Sequence, residues 1–259
     1  VDRAAAFQAL LARDPAHKVR LTRAAQAAPD VTGSGRAFSA ILPGRPDRPV
    51  LVHPARVPQR GLGTPAGRAA LVHAIAHIEF NAINLALDAV CRFSGMPADY
   101  YADWMQVAVE EALHFSLLRE HLNAMGHDYG DFQAHDGLWE MAEKTAADIL
   151  PRMALVPRIM EARGLDVTPG IRKKLLHQGD HVAAAILDII LRDEIGHVAI
   201  GNKWFHALCA QRGNEPAATF ERLAATLGAP RVRPPFNREA RLAGGFSEAE
   251  LRAWEERAA

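Results

Sequence analysis

Thr64-Pro65 pairs a helix-capping residue with proline at a first helical position, and the next proline is Pro97. The stretch between them is rich in Ala, Leu, Ile and Val, with apolar residues recurring three and four apart. That pattern demands one long helix to about Ser94, stopped by Gly95-Met96-Pro97. Three further stretches read the same way. One runs from about Ala98 to Met125 and ends at Gly126, a position suited to a left-handed cap. Another spans about 136–163, kinked at Pro151 and Pro157 and interrupted by Leu165–Gly170. A short helical piece to His177 and a turn at Gln178-Gly179-Asp180 lead to the last, about 180–211. Strand signals are scarce. Four long helices predict an all-α protein built on a four-helix bundle.

The flanks differ from this centre. Residues 3–28 read as one or two short helices, with Asp14-Pro15 as a second cap-and-proline pair. Residues 29–64 hold Pro29, Pro43, Pro46, Pro49, Pro54 and Pro58 with five glycines, and read as an extended arm or ordered linker. Residues 213–259, with Pro234-Pro235, read as a tail carrying two short helices. The expected division is 1–64 for helices and arm, 65–211 for the bundle, and 212–259 for a tail packed on it.

Lys plus Arg equals Asp plus Glu at 30 each, which excludes a generally basic nucleic-acid binder and an acidic tail protein. Two cysteines, Cys91 and Cys209, make neither a disulfide framework nor a cysteine-rich zinc site, and read as buried small hydrophobes. The longest apolar candidate for a membrane span, Val182–Leu191, is cut by Asp188. No signal peptide is visible, so a cytoplasmic location without a membrane partner is expected; the start at Val1 rather than Met suggests that the true N-terminus is missing.

Two Glu-x-x-His motifs carry chemistry: Glu111–His114 and Glu194–His197. With 15 Glu and 12 His in the chain, such a pair arises easily by chance, so their surroundings decide the matter. On a helix, Glu111 is flanked by Trp104, Val107, Ala108, His114, Phe115 and Leu118. Glu194 is flanked by Leu187, Ile190, Leu191, His197, Val198 and Gly201. Apart from the paired histidines, both stripes lack a polar side chain, so each Glu points into the core, where an isolated carboxylate is very costly. Glu79 sits on an equally apolar stripe, and Glu161 on a more mixed one. Glu79 to Glu111 is 32 residues and Glu161 to Glu194 is 33, each pair bracketing a turn. Two antiparallel hairpins of equal reach would set all four Glu at one level. The order Glu, Glu-x-x-His, Glu, Glu-x-x-His is the ligand pattern of carboxylate-bridged two-metal sites in helix bundles. Such donors favour iron or manganese. Glu110 and Asp193 are placed to orient the histidines from a second layer. The competing reading is a plain bundle whose core acids are neutralised by Arg92, Arg119, Arg158, Arg163 and Arg192.

Other residues are weighed against bland roles. His73 and His77, four apart, can bind metal but lie round from the Glu79 face. His177 and His181 straddle a turn. His121 and Trp104 can line the pocket, and Tyr100 and Tyr101 read as helix-start packing. Arg231, Arg233, Arg238 and Arg241, with Arg36, Arg45, Arg48, Arg56, Arg60 and Arg68 of the arm, can grip a phosphate-bearing substrate or form solvated surface.

The segments HPARVPQRGLGTP, HIEFNAINLALD, EEALHFSLLREHL, YGDFQAHDGLW, EARGLDVTPG and DEIGHVAIGNKWF, with PPFN at 234–237, resemble the bacterial ferritin-like family catalogued as domain of unknown function 455. The resemblance covers most of the chain and implies a ferritin-like four-helix bundle with a di-iron or Mn/Fe centre. Its ligands map onto Glu79, Glu111, His114, Glu161, Glu194 and His197, with Glu111 and Glu194 bridging. A more distant similarity is to the di-iron tRNA methylthio-isopentenyl-adenosine hydroxylase. It rests on Glu161-Ala162-Arg163 and on Glu194 and His197, while Ile195 and Gly196 depart from that enzyme's pattern.

The expected function is an O₂-activating di-metal oxidoreductase acting on a small-molecule or modified-nucleotide substrate with an external electron donor. The alternatives are a ferroxidase or iron-handling protein, a tRNA-modifying hydroxylase, and a non-enzymatic helical binding module.

Overall fold

A computed structural model describes residues 1–27, 38 and 42–258. Pro29, Arg36 and the neighbouring part of the expected arm lie outside the described residues. Among those described, regular structure is helical, apart from one isolated parallel bridge between Leu51 and Ala134. The fold is all-α. The chain divides into two compact units, residues 1–139 with 175–186, and residues 140–174 with 187–259.

The first unit is organised by a long hairpin. α3 (Pro65–Arg92) starts where the cap-and-proline pair places it, with Thr64 Oγ1 accepting from the Gly67 amide at 3.0 Å. α4 (Ala98–Ala124) returns after a turn in which Gly95 has φ of 76°, a conformation that suits a residue without Cβ. Tyr100 and Tyr101 stitch the turn, their hydroxyls donating to the carbonyls of Ala89 at 3.2 Å and Phe93 at 3.0 Å. The helix-start role expected for them holds. By length and composition α3 could cross a membrane, yet 78% of its most apolar window is buried in the protein, as in a core helix. Among the described residues it, rather than Val182–Leu191, is the helix long and apolar enough to cross a membrane.

α1 (Arg3–Leu11) packs on α3, and α2 (Pro15–Ala27) on α4. Buried Arg3 donates to Val90 O at 2.9 Å and Cys91 O at 2.8 Å, closing the C-terminal end of α3 with a cation. Lys18 does the same for α1, its Nζ reaching Leu10 O at 2.7 Å and Ala9 O at 3.0 Å. Past this pair of helices the arm from residue 42 runs without regular structure except a single 3₁₀ turn, Pro54–Arg56.

The second unit departs from the expected single kinked helix. α5 (Gly137–Lys144) begins in the first unit and ends at Lys144. Its last turn is closed by buried Arg152, which donates to Ala142 O at 2.7 Å and Thr145 Oγ1 at 2.8 Å. Asp148 then caps a new helix, α6 (Ile149–Leu155), accepting from the Leu150 amide at 3.1 Å. Pro151 therefore lies in a first turn, where its missing N–H costs nothing, and produces no kink. Pro157 does distort the chain, within a π-helical segment, Val156–Glu161. α7 (Ala162–His177) continues unbroken through Pro169, against the expected interruption at Leu165–Gly170. Pro169 cannot donate to Leu165 O, and Asn237 Nδ2 supplies that bond at 3.2 Å. α8 (His181–Gln211) starts in the first unit and runs through the second.

The tail forms three helices rather than two: α9 (Pro216–Thr226), α10 (Arg238–Ala243) and α11 (Glu248–Ala258). Two buried arginines hold it. Arg158 of the π segment pairs with Glu250 at 2.5 Å, bonds Asn202, and lies 4.4–5.1 Å from the rings of Phe205, Phe220 and Phe246. Arg241 pairs with Asp166 at 2.7 Å, both side chains at most 2% exposed, beside Phe236 and Phe246. Removing one partner of such a pair leaves an uncompensated buried charge. Asp166→Ala is expected to lower stability by about 3–5 kcal/mol in urea unfolding. Asp47→Ala, which breaks an exposed pair with Arg13, leaves the unfolding midpoint unchanged.

Candidate metal centre

Glu79 lies in the middle of α3, and Glu111 and His114 lie one turn apart on α4. Antiparallel packing of the two helices brings them together. One donor atom from each lies within 4.8 Å of the others. His114 Nδ1 is 3.2 Å from Glu79 Oε2 and 3.3 Å from Glu111 Oε2. Glu79 is 3% exposed, and Glu111 and His114 are fully buried. The apolar stripes read from the sequence surround them, with Trp104 and Phe115 each 1% exposed.

The electrostatics follow from burial. Loss of water pushes the Glu79 carboxyl well above the usual carboxylate range, and the nearby Glu111 charge pushes it further. For His114, burial alone would disfavour the cation, but hydrogen bonds accepted by the Glu111 and Glu79 carboxylates outweigh it and raise the imidazole to about 11. Three of the arginines expected to neutralise core acids are engaged elsewhere: Arg92 with Asp88, Arg119 with Asp128, and Arg158 with Glu250. Two carboxylates and an imidazole turned toward one another form a donor set that could hold a metal ion.

In the second unit, Glu161 is the last residue of the π segment and is 8% exposed. Glu194 and His197 sit one turn apart on α8, His197 Nδ1 lying 3.7 Å from Glu194 Oε2, with the histidine fully buried and the Glu side chain 12% exposed. The π segment was not foreseen, although proline within a helical stretch was its signal. α8 approaches it through Gly201: a Cβ there would lie 2.2 Å from Cβ of Pro157. Glu110 accepts from Gln106 at 3.0 Å, and Asp193 pairs with Arg192 at 2.8 Å. His121 pairs with Asp180 at 3.0 Å, and Asp180 also accepts from the Ala183 amide at 3.0 Å as the cap of α8.

His73 and His77 prove to be anchors for the loop after α4. His73 Nε2 accepts from the Gly130 amide at 2.9 Å. His77 Nδ1 lies 2.9 Å from the Tyr129 hydroxyl, and its Nε2 is 3.2 Å from His135 O. Tyr129 in turn packs on Phe80 and Phe115, linking the loop to the two helices that carry the cluster. Cys91 and Cys209 are buried thiols, as expected. Several buried polar residues were missed, Asn81, Asn84 and Asp88 of α3 among them. Asn84 is fully buried, and its amide has no hydrogen-bond partner among the described residues. An amide within the apolar run Ala82–Leu87 was the available signal.

Fold and site together define the class: an all-α protein with a buried carboxylate–histidine cluster able to hold metal. The chain belongs to the family described as protein of unknown function DUF455, which matches residues 11–252. An uncharacterized protein of Haemophilus influenzae is 52% identical over 213 residues, covering 80% of this chain and 74% of that protein. No solved structure matches the chain. The relative carries no named activity, so the resemblance to the tRNA hydroxylase rests on the residues quoted above alone.

The loop anchor has a pH signature. Burial lowers the His73 pKa from 6.5 to about 4, although Asp131 and Asp128 pull the other way. Between those values the unfolded chain holds a proton that the folded chain does not, so stability falls as pH drops through this window. His73→Gln, which can still accept from Gly130, is expected to flatten that part of a urea-unfolding pH profile.

Proposed function

We propose that the chain is a di-metal carboxylate oxidoreductase of the four-helix-bundle, ferritin-like type, using two iron ions or an Mn/Fe pair. The observation that carries the reading is the cluster of Glu79, Glu111 and His114, whose buried acids have a simple compensation in a divalent cation. Glu161, Glu194 and His197 are assigned to the second half by their order and near-equal spacing in the sequence. When bound, the metal pair supplies O₂ activation and redox equivalents, restored by an external electron donor. The chain's own residues bind the ions, fix their ligands on rigid helices, and exclude water through apolar neighbours such as Trp104 and Phe115. The substrate is a small molecule or modified nucleotide oxidised or hydroxylated at this site.

The test is elemental mass spectrometry of protein purified without a metal-affinity column, with Glu111→Gln beside the natural chain. The reading expects about two Fe or Mn per chain and their loss in the variant. Absence of transition metal after anaerobic Fe(II) loading would overturn it. Glu194→Gln is expected to lose metal as well; full retention would remove the second-half assignment. Stoichiometric Fe(II) oxidation with release of Fe(III), and no further O₂ uptake with reductant, would favour iron handling over substrate oxidation.

A further inference from the structure

The second unit carries a groove that the metal reading does not use. The segment Pro230–Arg233 lines two cavities, of about 850 and 250 Å³, and Ile159 lines both as well. The larger has an apolar wall that includes Phe220, Ala224 and Trp254. Arg231 and Arg233 line both cavities, and Arg163 lines the smaller.

The charge in this groove is unbalanced. Glu221 is the sole acidic side chain among the lining residues, and it is committed. It accepts from Arg257 at 2.8 Å and from Trp254 Nε1 at 3.2 Å. Behind the smaller cavity, Asp166 is taken by Arg241 at 2.7 Å and lies 3.8 Å from Arg163. Arg238, the remaining arginine of this basic stretch, is held by Glu248 and by Glu255 at 2.7 Å. Among the described residues, Arg231 and Arg233 have no ion-pair partner.

We propose that this groove binds a small organic phosphate, with the phosphate held by Arg231 and Arg233 and a planar apolar body against the Phe220 and Ala224 wall. Two guanidiniums two residues apart present more donors and more charge than a carboxylate can use, and they match the oxygens of a phosphate dianion. A solvated arginine pair needs no concavity. Here the pair borders a space of the size that ligand sites have, with an apolar wall on one side. Arg257 stays neutralised by Glu221, so selectivity for the anion rests on the two arginines of the 230–233 segment. The inference stands on the second unit and does not depend on bound metal.

Titration calorimetry of the full chain with adenosine monophosphate, and with adenosine as the same body without phosphate, tests it. The nucleotide is expected to bind saturably and to weaken with added salt, and adenosine to bind at least about tenfold more weakly. Arg231→Ala/Arg233→Ala is expected to lose about tenfold or more in affinity for the nucleotide. Because both side chains are exposed, its thermal melt stays that of the natural chain. Inorganic pyrophosphate, lacking the apolar body, is expected to bind more weakly than the nucleotide. Equal binding of adenosine and its monophosphate, unchanged affinity in the double variant, or no saturable heat with the nucleotide would each overturn the proposal.

Discussion

The burial of two carboxylates between α3 and α4 sets the terms for the rest of the first unit. A lone ionised carboxylate in an apolar interior costs several kcal/mol, roughly as much as a small domain's whole net stability. Glu79 and Glu111 are tolerated because they share His114, each within about a hydrogen bond's length of its Nδ1. That sharing needs the two helices to hold register to a fraction of a turn. The register is fixed away from the site, at the hairpin's end. Arg3 closes the last carbonyls of α3, and the Tyr100 and Tyr101 hydroxyls tie the start of α4 back to Ala89 and Phe93. On the other side the loop anchored by His73, His77 and Tyr129 covers Phe80 and Phe115. The cluster thus occupies a stretch of hairpin fastened both at its turn and along its flank.

The second unit solves a different problem with the same physics. Among its largest fully buried side chains are Arg158 and Arg241, and rings surround them. Arg158 has one acid, Glu250, and three aromatic faces; Arg241 has Asp166 and its own aromatic neighbours. Guanidinium suits this role because it is weakly hydrated, always charged and flat enough to stack. Each arginine joins segments far apart in sequence, so these ion pairs fasten the tail alongside its buried apolar residues Phe246, Leu251 and Trp254.

Long helices with strong punctuation were legible in the sequence. α3, α4 and α8 begin and end within a few residues of where their caps, glycines and prolines place them. So was the Glu79, Glu111 and His114 set, because apolar flanks on a helical stripe leave a buried acid visible. Pro157 distorts its helix as its position predicts, whereas the readings at Pro151 and around Pro169 failed. Pro151, Pro157 and Pro169 look alike in sequence, yet one starts a helix, one sits in a π segment, and one is carried within a helix. Their outcomes depend on partners that local pattern does not contain: the Asp148 cap, the Gly201 gap and the Asn237 amide. The loop-anchoring work of His73 and His77 was hidden for the same reason, since Tyr129 and Gly130 lie more than fifty residues away.

The π segment is where these strands of the second unit meet. Proline at 157 removes a donor and crowds the preceding turn, and the backbone relieves this by widening. The wider turn sends consecutive side chains to different surroundings. Arg158 enters the aromatic cage, Ile159 and Met160 line the groove beside Pro230–Arg233, and Glu161 is buried at the segment's end. The distortion persists because its neighbours are shaped to it. Gly201 leaves room for the proline ring, where any Cβ would collide, and Glu250 and Asn202 hold the Arg158 guanidinium. Ile159, which borders both cavities of the groove, lies two residues before Glu161 in this one short segment.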